Sequence, residues 1–283
     1  MNLIVGAIIV LGCVAGGFVL SHGQLAALWQ PYELLIIGGA AFGAFFMANP
    51  MKVIKAVFSN IGTLFSGSKY NKSLYMDVLA LLYDLLSKAR KEGLMGLESD
   101  VEEPHKSPIF KKYPKVLSDH HVTDFISDYL RLMVGGSMNA VELESLMDME
   151  LETHHQEAAL PGAALTRIAD GLPGFGIVAA VLGIVITMAS LGGPPQELGH
   201  HVAAALVGTF LGILMAYGFV APMSTFLEHA ARDEAQFFVC LKATLIASLQ
   251  GYAPQVAVEF GRKTIFASER PGFQELEKHV KKK

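Results

Sequence analysis

Transport chemistry in an apolar chain begins with ionisable residues in the middle of its long apolar stretches, and here those positions are bare. The 283 residues include four such stretches, at about 2–20, 33–49, 172–191 and 202–227, and none carries a carboxylate near its centre. A proton or cation crossing lipid normally needs such a group. If ions pass along these stretches, the carboxylate must therefore come from a partner. What the stretches offer instead is small or weakly polar. Pro173 and Pro222 stand near one end of the third and fourth stretches. Each removes a backbone hydrogen bond, which either punctuates a helix end or builds a kink beside an ion path. Thr209 either lines a polar path or bonds the backbone one turn back. Gly208 and Gly212, four residues apart, allow two helices to pack closely.

Outside the apolar stretches, Glu98, Asp100, Glu102 and Glu103 follow the basic group Lys88, Arg90 and Lys91. Such a run is either a solvated face or a docking surface tuned by salt. The pairs His120–His121, His154–His155 and His200–His201 invite a metal reading. Adjacent residues on a helix point about 100° apart, however, so a neighbouring pair is no chelate by itself. Cys13 and Cys240 are too few for a disulfide framework and read as small buried hydrophobes. No phosphate loop, nucleophile elbow or zinc-protease motif occurs, so nothing supports an enzyme. A mildly negative net charge of −4 makes nucleic acid an unsuitable partner.

The elements that must position these residues are helices. About 20 apolar residues cross a bilayer, and with 52% hydrophobic and 17% charged residues the chain is partly lipid-embedded. No run alternates as strands do, so the expected class is all-α: four transmembrane helices and a helical cytoplasmic domain. None of the 22 Lys and Arg falls in 1–51 or 168–227, while thirteen lie in 52–167 and nine from Arg232 onward. Basic segments stay in the cytoplasm. That places 52–167 and the C-terminal tail inside, and the short connections 21–32 and 192–201 in the periplasm. The apolar N-terminus lacks a basic leader region, so the first stretch reads as a retained anchor, with an uncharged chain start expected on the outer face. The divisions are a transmembrane hairpin at 1–50, a cytoplasmic helical domain at 51–168, a second hairpin at 169–228 and a helical tail at 229–283. In the cytoplasmic domain the clearest helix spans 71–91, with apolar residues at three- and four-residue spacing and Gly93 to stop it. Further helical patterns cover 122–134 and 140–157, and the fourth span is expected to continue as a helix through 228–250.

Seven stretches together resemble a known family: QPYELLIIGGA (30–40), SLYMDVLALLY (73–83), LPGFGIVAAVLG (172–183), GTFLGILMAYGF (208–219), GYAP (251–254), AVEFGRK (257–263) and SERP (268–271). The chain resembles MotA, the proton-type stator family of the bacterial flagellar motor, over nearly its whole length. The resemblance implies a pentameric ring around a dimer of MotB in the inner membrane. MotB would supply the missing aspartate, the proton would be the coupling ion with no other cofactor, and torque would pass to the rotor protein FliG. Carried over residue by residue, it makes Arg90 and Glu98 the charged rotor-facing residues. Pro173 and Pro222 become the prolines that couple proton flow to movement, and Thr209 and Tyr217 pore-side positions. Ala180 stands where sodium-type relatives carry threonine, which removes a sodium ligand and favours protons. The rival reading is an ExbB/TolQ-like energy transducer, which would have three spans and lack the early hairpin.

Overall fold

The computed structural model describes residues 2–282, and among them every regular element is helical. The chain forms two compact units, one of residues 1–67 with 158–230 and one of residues 68–157 with 231–283.

The first unit holds the apolar helices. Helix α1 (Asn2–Leu20) and α3 (Pro31–Ala48) form a hairpin joined through the short α2 (Leu25–Leu28). Exposed Trp29 and Tyr32 stand where α3 begins, as amphipathic rings do at a membrane boundary. Pro50 stops α3, and the Asn49 side-chain amide donates to the Phe45 carbonyl (2.8 Å), satisfying one of the orphan groups of the last turn. Helices α4 (Met51–Ser59) and α5 (Ile61–Ser66) follow. They bury Val53, Ile54, Val57 and Leu64 with Phe45, Ala164, Leu165 and Leu227. Leu3 packs on this same cluster. The start of α1 therefore lies at the end of the unit where α4 and α5 lie, and the expectation of a chain start on the opposite face is corrected. The reason is elementary: two crossings return a chain to the side it left.

The rest of this unit comes from two long helices. Helix α10 (Ala140–Ala189) is a single helix with Pro161 and Pro173 inside it, and its residues from 158 onward belong here. Helix α11 (Pro195–Met215) starts with Pro195 in its first turn, where the lost N–H costs nothing. A π-helical turn (Ala216–Val220) joins it to α12 (Ala221–Leu249). Four helices, at Leu3–Leu20, Leu25–Ala48, Ala140–Ala189 and Pro195–Leu249, are long and apolar enough to cross a membrane.

The second unit is a helical domain built on one wide apolar core. Helix α6 (Lys72–Glu92) is capped by Asn71, whose side chain accepts from the Leu74 N–H (3.1 Å), and it ends at Gly93 in a positive-φ conformation (81°). Its buried Val78, Leu79, Leu81, Leu82, Leu85 and Leu86 form the centre of the core. Helices α7 (Glu98–Glu102), α8 (Pro114–Leu117) and α9 (His120–Gly135) pack around it. Asn139 opens α10 with a reciprocal cap: its Oδ1 accepts from the N–H groups of Val141 and Glu142, and its own N–H donates to Glu142 Oε2. Helices α13 (Pro254–Thr264) and α14 (Phe273–Lys282) close the unit. Cys240 is fully buried here, and burial pushes its thiol up to about 12, which leaves it a small hydrophobe.

Candidate functional site

The sequence-predicted residues fall into two groups, one in each unit. In the first unit, α10 and α11 approach along a seam of small residues. A methyl placed on Gly212 would stand 2.8 Å from the Gly176 Cα and 2.8 Å from the Leu172 carbonyl oxygen, and one on Gly176 would meet the Gly208 carbonyl at 3.1 Å. Gly183 faces Ala205 at 2.8 Å in the same sense. Without a hydrophobic driving force between helices in lipid, such close backbone contact is what joins them. Pro173 lies one turn before Gly176 on α10, inside the helix, and leaves the Ala169 carbonyl without its usual donor.

Ala180 and Thr209 each border this seam. The Ala180 backbone nitrogen is 3.4 Å from a methyl placed on Gly208, and the Thr209 Cα is 3.4 Å from one placed on Gly176. Other hydroxyls of this unit are committed: Thr187 donates to Gly183 O (2.8 Å), Thr225 to Ala221 O (3.1 Å), and Ser224 to Gly162 O (2.8 Å). Thr209 makes no side-chain hydrogen bond among the described residues. Of the two readings of Thr209, the one in which it bonds its own backbone is not what the fold adopts.

A residue absent from the sequence-based site joins this place. Glu33, in the first turn of α3, has its Cγ 3.5 Å from a methyl placed on Gly208, and its Oε2 is buried without a hydrogen-bond partner. An orphaned carboxylate oxygen is rare and asks for a reason. Sequence reasoning passed over Glu33 because it flanks the second apolar stretch instead of interrupting it. The signal available was its position as the sole acidic residue before Asp77.

Tyr217 and Pro222 lie elsewhere in the same unit. With Leu3, Ala7 and Leu11 of α1 they line an apolar groove of about 390 Å³, and the Tyr217 side of the helix is exposed. Between them the helix widens: the Ala221 N–H donates to Ala216 O, five residues back. Pro222 has no N–H to offer the Gly218 carbonyl, so the α-helical ladder is already broken at this turn. π-turns of this kind concentrate at functional positions.

Arg90 and Glu98 belong to the second unit, at the end of α6 and the start of α7, and both are exposed. Their surroundings use charge in pairs. Lys88 Nζ reaches Asp100 Oδ2 at 2.7 Å and Ser107 Oγ donates to Asp100 Oδ1 at 2.5 Å, with Asp100 only 2% exposed. Arg131 pairs with Glu102 and Lys106 with Glu103, each at 2.7 Å. The Glu102 hydrogen bond holds the Arg131 guanidinium above its ordinary value. Of the acidic run, then, Asp100 anchors α7, Glu102 and Glu103 are paired, and Glu98 alone makes no ion pair among the described residues. Arg90 makes none either. Met95, 65% exposed, stands between them in sequence.

The histidine pairs take no common role. His121 and His154 face one another (ring centroids 6.0 Å), His154 Nε2 lies 3.8 Å from Glu234, and the Tyr70 hydroxyl donates to Glu234 at 2.7 Å. Burial first, and then the Glu234 charge, pushes the Tyr70 hydroxyl far up. Among the described residues no three His, Cys, Asp or Glu side chains gather as a metal site.

Residues 4–93 match the motility protein A N-terminal family, and residues 118–238 match the MotA/TolQ/ExbB proton channel family. The chain is 52% identical over 281 residues to motility protein A of Salmonella typhimurium, covering 99% of this chain and 95% of that one. It is 50% identical over the same length to motility protein A of Escherichia coli, and 41% identical to chemotaxis protein LafT of Vibrio parahaemolyticus, covering 98% of each. Among solved structures, the fold is similar to that of C. jejuni MotAB (TM-score 0.79, 19% identity, 96% of this chain and 98% of that one). It is also similar to the flagellar MotAB stator complex of Bacillus subtilis (TM-score 0.73, 25% identity, 90% and 92%). The N-terminal match covers the early hairpin that an ExbB/TolQ-like transducer would lack, and with full-length identity above 50% the chain belongs to the motility protein A family within the MotA/TolQ/ExbB proton channel proteins.

Proposed function

We propose that this chain is the ring-forming stator subunit of a proton-driven flagellar motor, with a MotB dimer as its axle, five copies in the ring and FliG as the rotor partner. The observation that carries the reading is the end-to-end similarity to motility protein A at 52% identity. The membrane helices add a physical reason for the partner: their centres hold no carboxylate, so the proton-carrying one belongs on MotB.

On this reading the chain divides functionally into hairpins at 1–50 and 169–228 and cytoplasmic segments at 51–168 and 229–283. Thr209 and Ala180 border the proton path on the seam of α10 and α11, and Glu33 stands beside them as an acidic group of the path's outer part. Alanine at 180 offers no hydroxyl to a sodium ion. Pro173, and Pro222 with the π-turn and Tyr217 before it, are the points where the two path helices bend as the proton passes. Arg90 and Glu98, exposed and outside the ion pairs that hold their neighbours Lys88, Asp100, Glu102 and Glu103, face the rotor. One charge crossing 100 mV yields about 2.3 kcal/mol, enough for a few protons to reshape helix contacts of ordinary strength.

The test is co-expression with the cognate MotB in a stator-deficient host, with Pro173→Ala alongside. Swimming that follows proton-motive force, persists without sodium and fails in the variant is expected. Swimming that stops without sodium would overturn the ion assignment, and no swimming with any cognate partner would favour an ExbB/TolQ-like transducer.

A further inference from the structure

We propose that α4, α5 and the cavity beside Arg167 form a binding site for an anionic phospholipid of the leaflet in which they lie. The cytoplasmic leaflet is meant, on the placement of residues 51–168 proposed above. Helix α4 is amphipathic: Val53, Ile54 and Val57 are buried, while Met51, Lys52, Lys55 and Phe58 are exposed. Exposed Ile61 and Phe65 extend its apolar margin along α5. A helix that starts two residues after a membrane span and shows both Phe and Lys to the outside suits the boundary of a bilayer.

Charge makes the occupant specific. No Asp or Glu occurs between Glu33 and Asp77. Lys52, Lys55 and Arg167 are the basic residues of the first unit, and none forms an ion pair among the described residues. The other unit also has cations without an ion pair, among them Arg90, Lys91 and Lys111; what sets Lys52, Lys55 and Arg167 apart is that they stand with the exposed apolar residues of α4 and the cavity beside Arg167. Three cations at a membrane boundary without protein partners have lipid phosphate as their natural one, and basic pockets between membrane helices recognise acidic headgroups.

The cavity supplies the rest of the lipid's shape. A space of about 180 Å³ between α3 and α10 is walled by Ala41, Ala44, Ala48, Ala164 and Gly171, with Asn49 and Arg167 also on its lining. Small residues leave the slot, and Asn49 and Arg167 provide its polar groups. An acyl chain enters the slot while the headgroup phosphate meets Arg167, with Lys52 three residues beyond Asn49.

The experiment uses the full chain co-purified with its partner, carrying Trp29→Phe and Phe58→Trp so that a single indole of this chain reports on α4. The complex is reconstituted with brominated phosphatidylglycerol or brominated phosphatidylcholine at equal mole fraction. Stronger quenching by phosphatidylglycerol is expected, with a preference of about fivefold per basic residue near the surface. That preference should disappear in Lys52→Gln/Lys55→Gln/Arg167→Gln and shrink in high salt. Equal quenching by the two lipids would overturn the proposal while leaving α4 at the membrane, in keeping with the stator reading. Quenching by neither would mean that protein covers α4, for instance a second copy, and would also overturn it. Motility of the same reporter variant checks the stator reading separately.

Discussion

In residues 68–157 and 231–283 the helices are held by a wide apolar core with paired charges at its rim. In residues 1–67 and 158–230 two smaller apolar clusters are joined by close backbone approach and by hydroxyls, with no ion pair among the described residues. The first kind of unit buries some thirty large side chains in one cluster around α6, and every ion pair among the described residues belongs to it. The second kind leaves Ile177, Val181, Val185 and Met188 exposed on one helix and joins that helix to the next through Gly176, Gly208 and Gly212. The difference matches the two solvents of the proposed placement. Water drives apolar side chains together, whereas lipid is as apolar as leucine, so only contact and hydrogen bonding remain. It also means that a spare charge or hydroxyl carries different information in each unit. Beside the paired Asp100, Glu102 and Glu103, Glu98 stands out; among few polar groups, an uncommitted Thr209 or an orphaned Glu33 does.

The largest effect should come from filling the seam. Gly212→Leu forces a side chain into a backbone contact, an overpacking cost of about 1–3 kcal/mol or more, and should abolish swimming at normal membrane abundance. Gly199→Leu, with open space around it, should swim. Equal behaviour of the two would break the contrast drawn between the units.

Next in size is the buried anchor of α7. Asp100→Ala strands Lys88 and Ser107 and should cost about 1–3 kcal/mol, read as a drop of several degrees in the thermal midpoint of the purified full chain. Asp128→Ala, at the exposed end of another pair, should leave the midpoint nearly unchanged.

A smaller but more telling effect separates two threonines. Thr209→Val should slow swimming and proton flux, whereas Thr187→Val, whose hydroxyl serves only its own backbone, should match the parent. Normal flux in Thr209→Val would remove it from the path. At the rotor-facing surface, Arg90→Glu with Glu98→Lys should weaken torque without moving the thermal midpoint by more than about 0.5 kcal/mol equivalent, as exposed substitutions generally do. Undiminished torque would discard the docking reading.

The smallest effect is a pH dependence at α14. The Lys72 ammonium, at 2.8 Å, and then the Gly272 N–H hold the Glu275 carboxyl below its ordinary 4.5. A carboxyl depressed by folding contributes above its unfolded value and is lost as pH falls through the folded one. Protection of α14 amides from hydrogen exchange should therefore be flat from neutral pH down to about 4.5 and decline only below it. Because the carboxyl is exposed, the decline should be slight.

The four apolar stretches, the charge map and the helix from 71 to 91 were all legible in order of residues, because length, hydropathy and capping are local properties. Asn71 and Gly93 mark the same helix in the sequence and in the fold. The resemblance to the motility protein A family was legible for the same reason, since it rests on contiguous motifs. Even the absent mid-span carboxylate needed no structure. What only the tertiary structure decided is which side chains have partners. The acidic run 98–103 looks uniform as sequence, yet Lys88, Ser107, Arg131 and Lys106 claim three of its members and leave Glu98. Glu33 looks like a boundary marker until α11 brings Gly208 against it. Chain order states which groups are available, but the free energy of a buried or charged group depends on what stands within a few ångströms, and those neighbours come from residues distant in sequence.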